Sequence, residues 1–252
     1  MLVLLPPSET KRSGGEGHAL EFAALSFPVL DEPRRTVVDA TCALAADPDA
    51  MMRALKLGPR QASEVERNLH LTSSPTMPAL DRYTGVLFDA LDGPSLDADA
   101  REYARERVAV HSALLGLVGA MDPIPAYRLS HDSRLPGIRL KAHWRARVAA
   151  ALAEHDGLIV DLRSEGYAEL GPAPVRPDSV FVRVVSIDGG GRRRALNHFN
   201  KKAKGLFARA LLEARPTLAT RTDLLDWART AGFRLDAGHS RPGAPDELDL
   251  VA

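Results

Sequence analysis

The sequence predicts a mixed α/β (α+β) fold, a single compact domain around a central mixed β-sheet. Three observations predict it. Two short runs, Leu2-Val3-Leu4-Leu5 and Leu158-Ile159-Val160-Asp161-Leu162, are almost wholly apolar, the pattern of strands buried on both faces. Several stretches between and after them repeat their apolar residues at helical spacing. The chain of 252 residues, 45% of them hydrophobic, lies within the size of one domain and can bury a sizeable core.

Taken in order, Pro6-Pro7 ends the first strand and opens a loop carrying Ser8-Glu9-Thr10-Lys11. Residues 12–17 are polar and glycine-rich; lacking the Gly-x-x-x-x-Gly-Lys pattern, they read as a flexible loop and not as a phosphate cradle. Apolar positions in residues 34–57 predict two short helices broken at Asp47-Pro48 and ended by Gly58-Pro59, and residues 61–71 predict a third. Residues 97–118 read as the clearest long helix, with Asp97 and Asp99 at its start and Tyr103, Arg107, Val110 and Leu114 at helical spacing. Pro123 and Pro125 leave Tyr127-Arg128-Leu129 extended, and residues 141–155 form an amphipathic helix with Trp144, Val148, Ala151 and Leu152 on one face.

The second apolar strand leads directly into Arg163-Ser164-Glu165-Gly166-Tyr167. Residues 180–187 predict another strand, which Asp188-Gly189-Gly190-Gly191 turns back into a partner over residues 192–199 as a β-hairpin. Asn200 can cap a helix over residues 201–215, closed by Pro216. A last helix around Leu224, Leu225, Trp227 and Ala228 ends at Gly232. The domain is expected to span residues 1–237, with residues 238–252 a flexible C-terminal tail.

No run approaches the roughly 20 apolar residues of a membrane span. The N-terminus has no basic stretch before its apolar one and reads as a strand, not a signal peptide. The single cysteine, Cys42, excludes an internal disulfide and a thiolate zinc cluster, which points to a reducing, cytoplasmic setting. Its own surroundings read as those of a buried small apolar residue. The histidines lack metal-ligand spacing, so no metal or cofactor is expected. The 33 basic and 33 acidic residues balance, leaving the whole molecule without a net field toward nucleic acid or membrane.

The charges are unevenly placed. Between Gly189 and Leu212 stand Arg192, Arg193, Arg194, Lys201, Lys202, Lys204 and Arg209, with no acidic residue. Lys201, Lys202 and Lys204 fall in the first turn of the expected helix, where the dipole disfavours cations and free backbone amides attract anions. A phosphate or carboxylate ligand would reconcile the two; a solvated charged face is the competing reading.

Asn200-Lys201-Lys202-Ala203-Lys204-Gly205-Leu206, coming after a strand, resembles the Lys-Lys-Ala-Arg-Gly signature of the YaaA peroxide-stress family. Other pieces match in the same order: the first strand with its loop, Tyr83-Thr84-Gly85, Ser112-Ala113-Leu114-Leu115-Gly116-Leu117, Pro125-Ala126-Tyr127-Arg128-Leu129, Trp144, and Asp161-Leu162-Arg163-Ser164-Glu165-Gly166-Tyr167. The match spans nearly the whole chain. The resemblance implies a compact fold peculiar to that family with a helix-hairpin-helix element and a positively charged cleft. It also implies binding of double-stranded DNA and a part in limiting damage from hydrogen peroxide and free iron. Glu9 stands where a lysine is familiar in the family, and Ala113 to Gly119 replaces a Gly-Leu-Tyr-Gly run.

For nucleic acid or another anion the candidate contacts are Lys11, Tyr83, Arg128, Tyr167, Lys201, Lys202 and Lys204. A second function competes: an enzyme acting on a nucleotide or another phosphorylated small molecule, with Glu165 as general base or nucleophile and Ser164 beside it, at a sheet's carboxyl edge. An ion pair between Glu165 and a nearby Lys or Arg is the structural alternative, and a binding module without catalysis is the third. An enclosed cavity too narrow for a duplex would favour the enzyme; an open groove lined by lysines would favour DNA.

Overall fold

The apolar run Leu2–Leu5 becomes β1, buried along its whole length, and the sheet is assembled on both sides of it. The computed structural model describes residues 1–187, 193–195, 199–239 and 241–252. After β1 come α1 (Asp31–Ala45), α2 (Pro48–Leu55), α3 (Ser63–Leu69), β2 (Met77–Pro78), α4 (Ala79–Arg82), α5 (Val86–Leu91), α6 (Ala98–Arg107), β3 (Val108–Ser112), β4 (Gly116–Gly119) and β5 (Pro123–Ile124). Then follow α7 (Leu140–Ala153), β6 (Ile159–Asp161), α8 (Glu165–Glu169), β7 (Ser179–Ile187), β8 (Arg193–Ala195), α9 (Phe199–Ala214), α10 (Arg221–Thr230), β9 (Arg234–Ala237) and β10 (Asp246–Val251).

The main sheet runs β4-β3-β1-β6-β7-β10-β9, with β8 also paired to β7; β2 and β5 form a separate two-stranded ladder. Strands β3, β1, β6, β7 and β10 are mutually parallel, while β4, β8 and β9 join antiparallel. The mixed sheet is therefore parallel at its centre, where the continuously apolar strands lie, as burial on both faces requires. One hydrophobic cluster runs from these strands into the helices and includes Trp144, Phe207 and Leu224. The chain leaves β1 toward β3 on one side and returns to β6 on the other, so the order of the sheet reverses at β1. Crevices form at the carboxyl ends of strands at such a point, because the connecting segments diverge.

Three expectations are corrected. The helix over residues 97–118 ends at Arg107; Val108 is extended (φ −121°, ψ 131°) and residues 108–112 are β3. All five residues of β3 are buried, which leaves no solvent face for an amphipathic helix, and Val108 and Val110 suit a strand. Gly116, at φ +67° and with Trp144 where a Cβ would stand, turns the chain back into β4. The tail is corrected too: β10 inserts between β7 and β9, burying Leu248 and Leu250. Its acidic residues hid it, because composition does not reveal that Arg183 of β7 receives Glu247 at 3.0 Å. The third correction concerns residues 12–17, which are tied down. The buried Arg82 guanidinium donates to the carbonyls of Arg12 (2.6 Å), Gly14 (2.8 Å), Pro75 (2.9 Å) and Ile124 (3.1 Å).

The predicted strand pair β7 and β8 is present. Its expected turn at Asp188-Gly189-Gly190-Gly191, together with Arg192 and His198, lies outside the described residues.

Candidate functional site

At the carboxyl ends of β1 and β6 lies a half-open cavity of about 500 Å³. The loop after β1 supplies Pro6 to Thr10, the approach to α5 supplies Thr84 and Gly85, the turn after β6 supplies Leu162 and Ser164, and α9 supplies Asn200, Lys201 and Lys204. A neighbouring cavity of about 340 Å³ shares His131, Ser164, Asn200 and Lys204 and adds Glu165, Arg183 and Phe181. The sequence candidates Ser164, Tyr167, Lys201 and Lys204 thus border the first cavity, and Glu165 borders the second.

Beneath the first cavity lies a closed polar floor. Lys11, 5% exposed, donates to the carbonyls of Ser8 (2.8 Å) and Glu9 (3.3 Å), and its amine sits 3.8 Å from the centre of the Tyr127 ring. Burial, and then the nearby Arg128 charge, hold its pKa well below the ordinary lysine range. Tyr83 and Tyr127 share a 2.7 Å hydrogen bond, and the Ser112 hydroxyl lies 2.7 Å from that of Tyr127. Ser112 Oγ accepts from the amides of Leu114 and Leu115, so its own proton goes to Tyr127. Burial raises the pKa of both phenols, which keeps them neutral donors. Lys11 and Tyr83 therefore support the loop from below and line neither cavity. Arg128 is occupied as well: its guanidinium pairs with Glu9 and its amide donates to Asn68 Oδ1 at 2.8 Å.

The wall after β6 is set by a buried ion pair. Asp161 and Arg163 meet at 2.8 Å (Nε to Oδ1) and 2.6 Å (Nη2 to Oδ2), and Arg163 also donates to Gly171 O and His111 Nδ1. Acceptance at Nδ1 leaves the His111 proton on Nε2, and burial lowers the His111 pKa well below its usual value, so the ring stays neutral. This pair fixes the turn that presents Ser164. The sequence held a signal for it, since residues i and i+2 of an extended chain share a face. Sequence reasoning also missed Thr10, Thr84 and His131. Glu165 pairs with Arg183 at 2.7 Å, and Arg183 is shared with Glu247.

Helix α9 brings the basic motif to the cavities and splits it. Lys201 and Lys202 are exposed, and Lys202 lines neither cavity. Lys204 is 4% exposed, donates to Arg163 O at 3.0 Å, and has its pKa lowered to about 8, chiefly by burial. Gly205 has a packing role: a Cβ there would stand 2.2 Å from Leu87 O, so the glycine permits α9 to touch α5. Asn200 Oδ1 is enclosed without a hydrogen-bond partner among the described residues, where a ligand N–H or hydroxyl could reach it. The described residues contain no cluster of three His, Cys, Asp or Glu suited to a metal, and no helix long and apolar enough to cross a membrane.

Residues 1–239 match the family model described as peroxide stress protein YaaA. The chain is 41% identical over 256 residues to a UPF0246 protein of Corynebacterium glutamicum strain R, covering 100% of both chains. It is 38% identical over 258 residues to a UPF0246 protein of Streptomyces coelicolor, covering 100% of this chain and 98% of that one. A UPF0246 protein of Streptococcus pneumoniae is 28% identical over 184 residues, 71% of this chain and 74% of its own. With a family model over nearly its whole length and relatives matched end to end, the chain belongs to the YaaA (UPF0246) family of peroxide stress proteins.

Proposed function

We propose that this protein serves the peroxide-stress response by binding a phosphate-bearing ligand of nucleotide size in the cavity between the β1 loop and α9. The observation that carries the reading is the cavity itself. At about 500 Å³ it falls within the range of small-molecule sites and is too small for a duplex, and it draws Ser164, Lys201 and Lys204 to one space. Lys201 at the start of α9 supplies charge for a phosphate, while Thr10, Thr84 and Asn200 offer hydrogen bonds to a sugar or base. Leu87, Phe88 and Leu162 provide an apolar wall for a flat ring.

A second reading, double-stranded DNA held along a basic cleft with a helix-hairpin-helix element, is favoured by the exposed side chains of Lys201, which borders the cavity, and Lys202, which lies outside it. One substitution separates the two. Ser164 borders both cavities and makes no side-chain cap on α8, so Ser164→Phe fills the space without touching the lysines. Calorimetry with a nucleoside monophosphate should show binding to wild type and none to Ser164→Phe; equal binding by both rejects the cavity as the site. Duplex binding that survives Ser164→Phe supports the second reading. The physiological part is tested by deletion: greater peroxide sensitivity, relieved by iron chelation, is expected, and equal survival of the deletion and parent strains removes it.

A further inference from the structure

Among the described residues two lysines are buried, Lys11 and Lys204, and only Lys204 borders space. Among the described residues the Lys204 amine has one carbonyl at 3.0 Å and the Phe181 ring at 5.3 Å, whereas the Lys11 amine is surrounded by two carbonyls and a phenol ring. Asp161 and Glu165, which act on Lys204 electrostatically, are each paired with an arginine. With its pKa lowered to about 8, roughly a tenth of Lys204 is free amine at pH 7. A desolvated lysine in the wall of a cavity has the properties of a nucleophile toward carbonyl carbon.

We propose that Lys204 forms a Schiff base with a phosphorylated aldehyde or ketone, such as an open-chain sugar phosphate, seated where the two cavities meet. The proposal rests on the cavity being a site for phosphate-bearing ligands and adds a covalent step to it. The free amine adds to the carbonyl carbon, the carbonyl oxygen takes up the nitrogen's proton to give a carbinolamine, and loss of water leaves the imine. No oxidant or reductant is consumed. Lys201, one helical turn from Lys204, borders the same cavity and takes the phosphate end.

The test incubates the full chain with glycolaldehyde phosphate and sodium cyanoborohydride, which reduces the imine to a stable secondary amine, and maps the adduct by mass spectrometry. The adduct is expected on Lys204 at a rate about tenfold above that at Lys201 or Lys202, rising with pH to a plateau above about 8. Lys204→Arg keeps the charge, does not condense with the aldehyde, and should lose the adduct. Labelling of Lys201 and Lys202 with Lys204 unmodified overturns the proposal, even in a protein that binds nucleotide. Equal labelling of Lys204 by glycolaldehyde without its phosphate overturns the phosphate reading of the cavity and leaves the nucleophile standing.

Discussion

Lys11 under the cavity and Lys204 in its wall are equally withdrawn from water, but their surroundings differ in kind. The Lys11 amine is enclosed by the carbonyls of Ser8 and Glu9 and the face of Tyr127, with the Tyr83, Tyr127 and Ser112 hydroxyls hydrogen-bonded nearby. Among the described residues the Lys204 amine donates to a single carbonyl, and it borders two cavities. A buried cation whose donors are satisfied holds a loop in place; one that faces space retains donors for a ligand. Lys11 is thus held by its surroundings, while Lys204 borders space that a ligand can enter.

The largest effect is expected at the junction of floor and wall. Arg163→Ala leaves the Asp161 carboxylate buried and unpaired and should lower unfolding free energy by about 3–5 kcal/mol in urea titration. A loss under about 1 kcal/mol would mean that the pair does not hold the wall. Lys11→Met comes next: two enclosed carbonyls lose their donor, for a cost of about 1–3 kcal/mol, while nucleotide affinity measured below the melting range stays near wild type. Loss of affinity at intact stability would move Lys11 from the floor to the ligand.

Lys204 should show the opposite balance. Its folded pKa of about 8 lies below the unfolded value near 10.4, so the unfolded chain binds the extra proton between those values. Its burial costs stability fully below about pH 8, and that cost fades as pH rises toward about 10. Wild type should therefore gain stability relative to Lys204→Met over this window. A stability difference that stays flat with pH would show that Lys204 is not desolvated. The smallest stability effect, within about 0.5 kcal/mol, belongs to Lys201→Ala with Lys202→Ala, whose side chains are exposed. If duplex DNA binds on the rim, that pair should make the double-logarithmic salt slope shallower by about two units on two unrelated duplexes. An unchanged slope removes these lysines from any DNA contact.

The site was partly legible in the sequence. The clustering of Lys201, Lys202 and Lys204 after a strand, and of Ser164 and Tyr167 after another, was visible as motif and spacing. That Lys11 and Tyr83 would lie beneath the cavity, that Glu9 would occupy Arg128, and that Arg183 would occupy Glu165 was not visible. Each depends on a partner at least 18 residues away in sequence. The same holds for β3 and β10, one hidden in a helical pattern and the other in an acidic tail, since each becomes a strand through pairing with distant chain.

By itself the sequence determined the family, the α/β class, the buried strands β1 and β6 and the clustering of the chemical residues after strands, because these follow from local hydrophobic pattern and motif order. Only the tertiary structure decided which charges are buried and which of them face space. Lys201, Lys202 and Lys204 lie within four residues of one another, yet α9 exposes the first two and turns the third inward against Arg163 and Phe181. Dielectric environment, and with it the amine's pKa and reactivity, is set by what packs around a side chain, and that is written in contacts between segments and not in the order of residues along one of them.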